Sequence, residues 1–137
     1  MPARLKIAIF AFALALPLCS CDELNPRRPK PVVVVWKEIG TWSGRGSLQT
    51  DTIDMGIAEW RVRWKTSNLT PGTKGKFVLT ANSAVSGRPI AELVNHEGPG
   101  EGTGYVNDDP RQYYFVVDSK DLDWTFTAEV SIVTGGR

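Results

Sequence analysis

From Val32 onward the chain is a succession of short segments in which apolar and polar residues alternate, broken by clusters of Gly, Pro, Asn and Asp every 8 to 14 residues or roughly so. Glu59 to Lys65, EWRVRWK, is the clearest of them: a period of two puts Trp60, Val62 and Trp64 on one face and Glu59, Arg61, Arg63 and Lys65 on the other. Such a strand has one dry face and one wet face. QYYFVV places Tyr113, Phe115 and Val117 on one side, and DWTFTAEVSIV does the same with Trp124, Phe126, Ala128, Val130 and Ile132. These two are expected to be neighbouring strands. Further strands are expected at Val32 to Glu38, Gly46 to Met55, Lys76 to Ser83, Ile90 to Asn95 and, more weakly patterned, Thr103 to Val106. Turns fall at TPGTKG (Thr70 to Gly75), SGRP (Ser86 to Pro89), GPGEG (Gly98 to Gly102) and NDDPR (Asn107 to Arg111). No amphipathic helix and no repeat is seen in this part. The pattern predicts an all-β domain over 32–137, a single antiparallel sandwich of about eight strands with jelly-roll or Greek-key connections.

The first twenty residues follow a different pattern. Arg4 and Lys6 precede IAIFAFALALPL, Ile7 to Leu18, which carries no charge. A positive region before an apolar stretch of this length has the form of an export signal. Its helical rise of about 18 Å is short of the roughly 30 Å hydrocarbon core, so it is a poor permanent span. The alternative is a short buried or interfacial helix.

Leu18-Cys19-Ser20-Cys21 then resembles the lipobox of bacterial lipoproteins, with Leu three residues before the cut, a small residue just before it and a cysteine after it. The resemblance implies that residues 1–20 are removed and that Cys21 receives a diacylglycerol. It also implies a protein held at a bacterial cell membrane and facing the periplasm or the exterior. Asp22 is, in enteric-type bacteria, a residue that keeps such proteins in the inner membrane. An ordinary signal-peptidase cut fits less well, because Leu18 would fill a pocket that takes small side chains. A Cys19–Cys21 disulfide would span one residue and strain the bond. Two or more acyl chains make release from a bilayer very slow, at about 0.8 kcal/mol per buried methylene.

Residues 21–31 form a tether. Pro26, Pro29 and Pro31 fix φ and favour an extended spacer, while Arg27, Arg28 and Lys30 could attract anionic headgroups or simply stay solvated.

Composition adds exclusions. Sixteen Lys and Arg stand against 15 Asp and Glu, and loss of Arg4 and Lys6 with the leader lowers the basic count to 14. There is no bulk charge to draw a nucleic acid. One cysteine remains after the cut, so neither a disulfide framework nor a multi-cysteine zinc site is available. WSGRGSLQTDTIDM, EWRVRWKT and QYYFVVDSKDLDWTFTAEV together resemble the small extracytoplasmic β-sandwich domains of bacterial lipoproteins and surface proteins, including CUB-like and pre-peptidase-like modules, although the CUB disulfides are missing. That resemblance implies an accessory or binding module.

Chemistry is sparse. His96 is the single histidine, beside Glu97, and no serine lies in a nucleophile-elbow sequence. The glycines at 98, 100, 102 and 104 lack the Gly-Lys-Ser/Thr of a phosphate loop and are expected to form a flexible hairpin loop. Asp118, Asp121 and Asp123 cluster hard oxygens as calcium requires, without the order of an EF-hand, so turn-forming aspartates are the ordinary expectation and no metal is assigned. Trp36, Trp42 and Tyr105 fall outside the main core stripes and could stack on a sugar or anchor a protein; Arg61 and Arg63 could meet an acidic ligand. The expectation is a noncatalytic module without cofactor that presents a face or loop to an envelope protein or glycan. The alternatives are an assembly lipoprotein acting through its own oligomer, or a small hydrolase using Glu97 or the aspartates.

Overall fold

The computed structural model describes residues 29–135; the leader, the lipobox with Cys21 and the first part of the tether lie outside them. Among the described residues there are nine strands and no helix: β1 Val33–Arg45, β2 Leu48–Gln49, β3 Ile53–Met55, β4 Glu59–Asn68, β5 Lys76–Ser83, β6 Pro89–Glu97, β7 Gly100–Asn107, β8 Arg111–Lys120 and β9 Leu122–Thr134. They form two antiparallel sheets, one ordered β1-β9-β4-β7 and one ordered β2-β8-β5-β6, with β3 also pairing β8. This is a β-sandwich.

The alternation seen in the sequence decides which side of each strand is dry. Trp60, Val62, Trp124, Phe126, Ala128 and Val130 project from the first sheet, and Phe77, Leu79, Ala81, Tyr113, Phe115 and Val117 from the second; all are buried. The rings interleave across the gap. Trp60 meets Tyr113 edge-on at 5.0 Å, Phe115 meets Phe126 at 5.3 Å, and Phe77 stacks on Trp124 at 6.0 Å. Such pairs add about 0.5–1.5 kcal/mol each beyond the area they bury.

Three sequence expectations are corrected by the fold. First, β8 and β9 are not hydrogen-bonded neighbours. Asp121 alone connects them, with φ of 57°, and this corner passes the chain from the second sheet to the first. Their dry faces therefore oppose each other across the core instead of sharing one sheet. Second, Gly46 to Met55 is not one strand: it splits into β2 and β3, both on β8. Thr50, between them, is buried and exchanges two hydrogen bonds with Phe115: its N–H donates to the Phe115 carbonyl at 3.0 Å, and its Oγ1 accepts from the Phe115 N–H at 2.9 Å. A side-chain oxygen thus does what a backbone carbonyl would do in an unbroken ladder, and the strand can bend.

Third, GPGEGTG is mostly strand. Only Gly98, with φ of 75°, and Pro99 make the turn. Gly100, Gly102 and Gly104 pair with Thr66, Trp64 and Val62 and lie on the inner side of β7. A Cβ on Gly104 would stand 2.8 Å from the carbonyl oxygen of Leu93 in β6, and one on Gly102 would stand 3.0 Å from the Trp64 ring. The glycines are there because β7 lies against β6 and over Trp64 with no room for side chains. The edge of the sandwich is closed by this approach.

Candidate functional site on the outer face of the first sheet

The polar side of β4, β9, β7 and β1 forms one continuous outer face, and the pair register sets it in rows. Glu38, Glu129, Arg61 and Tyr105 make one row across β1, β9, β4 and β7; Thr41, Thr127, Arg63 and Thr103 make the next; Ser43, Thr125, Lys65 and Glu101 the third. Strand alternation sends all these side chains outward because their neighbours in sequence fill the core.

The first row is tightly organised. Glu129 is only 6 % exposed although it lies on the outer side. Arg61 Nε donates to its Oε2 at 2.6 Å, and Arg63 donates to its Oε1 from Nε at 3.0 Å and from Nη2 at 2.9 Å. Burial pushes the Glu129 carboxyl upward, but the hydrogen bonds and charges of the two guanidinium groups outweigh it and hold the carboxyl below its ordinary range. The Arg61 guanidinium lies 4.2 Å from the centre of the Trp36 ring, and Tyr105 meets that ring edge-on at 6.1 Å. Carboxylate, guanidinium, indole and phenol are therefore layered outward, and Tyr105 is 65 % exposed at the top.

Beside this stack is a shallow open groove of about 460 Å³. Arg63, Lys65, Glu101, Thr103, Thr125 and Thr127 line it. Arg61 is spent on Glu129 and Trp36, whereas the Arg63 side chain stays 54 % exposed and turns a charged edge to the groove. Three threonine hydroxyls, two cations and one carboxylate are donors and acceptors suited to a ligand rich in hydroxyl and acidic groups. Neither Glu129, with its lowered carboxyl, nor Tyr113, pushed up to about 12 by burial and by its hydrogen bond to Asp108, is placed to trade protons near neutrality.

The fold brings Trp36, Arg61, Arg63 and Tyr105 together on this face, and it puts Trp42 elsewhere. Trp42 points inward, half-buried, stacked on Phe126 at 5.1 Å and edge-on to Phe115 at 5.5 Å. The three aspartates considered for calcium are not gathered: Asp123 pairs with Arg45 at 2.6 Å, Asp118 accepts from Ser47 at 3.4 Å, and Asp121 forms the corner. No group of three or more potential metal ligands exists among the described residues. His96 packs its ring 5.0 Å from Trp64 and over Gly100, with Nε2 3.3 Å from the Pro99 carbonyl oxygen. Glu97 is exposed at the end of β6.

Glu129, Glu101 and the threonines Thr103, Thr125 and Thr127 are the site residues that sequence reading missed. A signal for Glu129 exists: Arg61 and Arg63 project from one strand face, and the only acid on the wet side of the middle of β9 is Glu129. Opposite charges on adjoining strands stabilise each other. Choosing β9 as the neighbour, however, requires the pairing. No family model matches the chain, and no curated protein matches it.

Proposed function

We propose that this chain is a lipid-anchored binding module of the bacterial envelope, held through Cys21, which takes an envelope glycan on the outer face of the first sheet. The observation that carries the reading is the groove beside the exposed Tyr105, where threonine hydroxyls, Arg63, Lys65 and Glu101 surround one open space. An aromatic step next to a row of hydroxyls and charges is the chemistry that recognises sugar rings carrying acidic groups. The lipobox resemblance and the proline-rich tether support an anchored position in which this face is free to meet such a polymer.

Two measurements test the reading. Intact mass and membrane fractionation of the protein expressed in a bacterial host, beside Cys21→Ala, should show a diacylglyceryl mass and membrane sedimentation for the wild type alone. Soluble peptidoglycan fragments titrated into isotope-labelled protein should shift the amide resonances of Thr103, Tyr105 and Thr125, and the double variant Arg63→Ala/Tyr105→Ala should abolish the shifts. Unmoved resonances at millimolar fragment would end the glycan reading.

A second reading, an assembly lipoprotein that acts through its own copies, is favoured by one observation. β1 is a sheet edge of 13 residues whose outward backbone groups have no strand partner among the described residues. Sedimentation equilibrium at increasing concentration would show a rising mass if that edge pairs with itself.

A further inference from the structure

β1 and β9 outrun the rest of the sandwich. The β4 register on β9 begins at Trp60 opposite Val130, whereas β1 continues to pair Trp36, Val35, Val34 and Val33 with Ser131, Ile132, Val133 and Thr134. The result is a two-stranded ribbon projecting beyond the core. Apolar side chains predominate on both faces: alternation puts Val33, Val35 and Ile132 with Thr134 on one side and Val32, Val34 and Val133 with Ser131 on the other. Val32 and Val133 are each 63 % exposed, and Val33, Val34 and Val35 lie between 45 and 51 %.

An amphipathic strand in water hides one face and wets the other; this ribbon wets two apolar faces. A second copy joined edge to edge would leave both faces in water, and a protein docked on one face would leave the other. A medium that surrounds the ribbon covers both. Lys30 precedes the ribbon and Lys37 follows it, both exposed, and Arg27 and Arg28 lie earlier in the sequence; the acids are at the ribbon base, Glu38, which accepts a hydrogen bond from Thr41 at 2.9 Å, and Glu59, whose carbonyl accepts from Ser131 at 3.2 Å. An apolar tip flanked in the chain by Lys30 and Lys37, with the acids at its base, suits an anionic lipid surface. The ribbon also follows the tether directly in the sequence.

We propose that the ribbon of Val32–Val35 and Ile132–Val133 is a membrane-contact element, which enters the interface of an anionic bilayer and orients the sandwich on it. The proposal rests on the lipid-anchored reading for its location and adds a second attachment point, so that the domain stands in one orientation instead of swinging on its tether.

Bilayer contact is read by the quenching of tryptophan emission with brominated lipids. The full chain is produced in a bacterial host as wild type, Val34→Trp and Val85→Trp, with Val85 in the β5–β6 turn serving as the exposed control at 90 %. Each is combined with phosphatidylethanolamine/phosphatidylglycerol vesicles carrying brominated chains, and intact mass reports acylation separately. The expected result is loss of most of the emission added by Val34→Trp and none of that added by Val85→Trp, with the loss reversed when Val33→Asp and Val35→Asp are introduced beside Val34→Trp. An acylated chain with no selective quenching at position 34 overturns the ribbon contact and leaves the anchor standing. An unacylated chain that is still quenched at position 34 when vesicles are added keeps the ribbon contact and overturns the anchor; absence of both signals overturns both. If Val34→Asp instead dissociates an oligomer seen without lipid, a second copy covers the ribbon and the proposal falls.

Discussion

The first sheet has two edges, and they are finished in opposite ways. At β7 the inner positions are Gly100, Gly102 and Gly104, so the strand comes close enough to β6 for the Leu93 carbonyl to leave no space for a side chain. At β1 the positions in the same rows are Gly44, Trp42 and Gly40, and the other end of the strand carries valines and projects past β4 as an exposed ribbon. Both are edge strands of the same antiparallel sheet, so hydrogen-bond geometry does not distinguish them. What fills the inner side does: at β7 three missing side chains let the edge close on β6, at β1 the Trp42 ring fills the same rows between two glycines, and the valines lie farther along, past the end of β4, with nothing beneath them. An edge can be protected from association by closure, but an open apolar edge is either a hazard or a contact.

The sharpest way to break this contrast is to give the closed edge a side chain. Gly104→Val drives methyl groups into the Leu93 carbonyl at a site where backbone, not a flexible side chain, is the obstacle. We expect a loss of about 3 kcal/mol in urea unfolding, because overpacking of this kind is relieved only by separating the strands. A loss near zero would mean that β7 is not held against β6.

The next effect concerns the join between the edges. Glu129→Ala removes the carboxylate that both Arg61 and Arg63 grip and leaves the Arg61 side chain, 20 % exposed, without its partner. The expected cost is about 2–3 kcal/mol at neutral pH, below the cost of breaking a fully buried pair because both arginines retain some water. The sign of the pH dependence follows from the lowered Glu129 carboxyl. Its contribution is present in full above the ordinary value of 4.5 and disappears as the pH falls through the lower value of the folded state. The stability gap between wild type and Glu129→Ala should therefore be constant near neutrality and shrink below pH 4.5; a gap that widens on acidification would contradict the clamp.

Gly102→Ala tests the closed edge more gently. Its Cβ would meet the Trp64 ring at 3.0 Å, and that ring is only half-buried and able to shift. About 1 kcal/mol of destabilisation is expected, together with a change in Trp64 near-ultraviolet dichroism. At the open edge, Val34→Thr should change the unfolding free energy by less than about 0.5 kcal/mol, since an exposed side chain loses little packing. A large loss there would show that the ribbon is a structural part of the core.

Much of the sandwich is legible in the chain. The stripes Trp60/Val62, Tyr113/Phe115/Val117 and Trp124/Phe126/Ala128/Val130 are buried as their period of two requires, and Lys76–Ser83 is a strand with the limits the pattern predicts. Trp64 and Ile132 belong to the same stripes yet are only half-buried: Trp64 lies beside Gly102 of the edge strand β7, which has no side chain to cover it, and Ile132 pairs with Val35 beyond the end of β4. The candidate site was legible in half. Arg61, Arg63 and Tyr105 stand on wet faces by alternation alone, but Trp36 and Trp42 are both aromatics of β1, and the irregular register between Glu38 and Gly40 separates them to opposite sides of the sheet. A bulge of one residue reverses every following side chain, and its one local sign is Gly40, a glycine inside the strand.

What the amino-acid order determined by itself is the alternation: which residues of a strand face oil and which face water, because the backbone sends successive side chains to opposite sides whatever the partner strand. It also determined the separateness of the apolar first segment and the proline-rich one from the alternating body. Tertiary structure decided which strands adjoin. That put β8 and β9 in different sheets, made a strand of a glycine-rich stretch, joined Glu129 to two arginines, and left the valines of β1 without a cover. These outcomes depend on long-range pairing and on the space between elements, and both are set by the summed packing of the two sheets, not by any one segment.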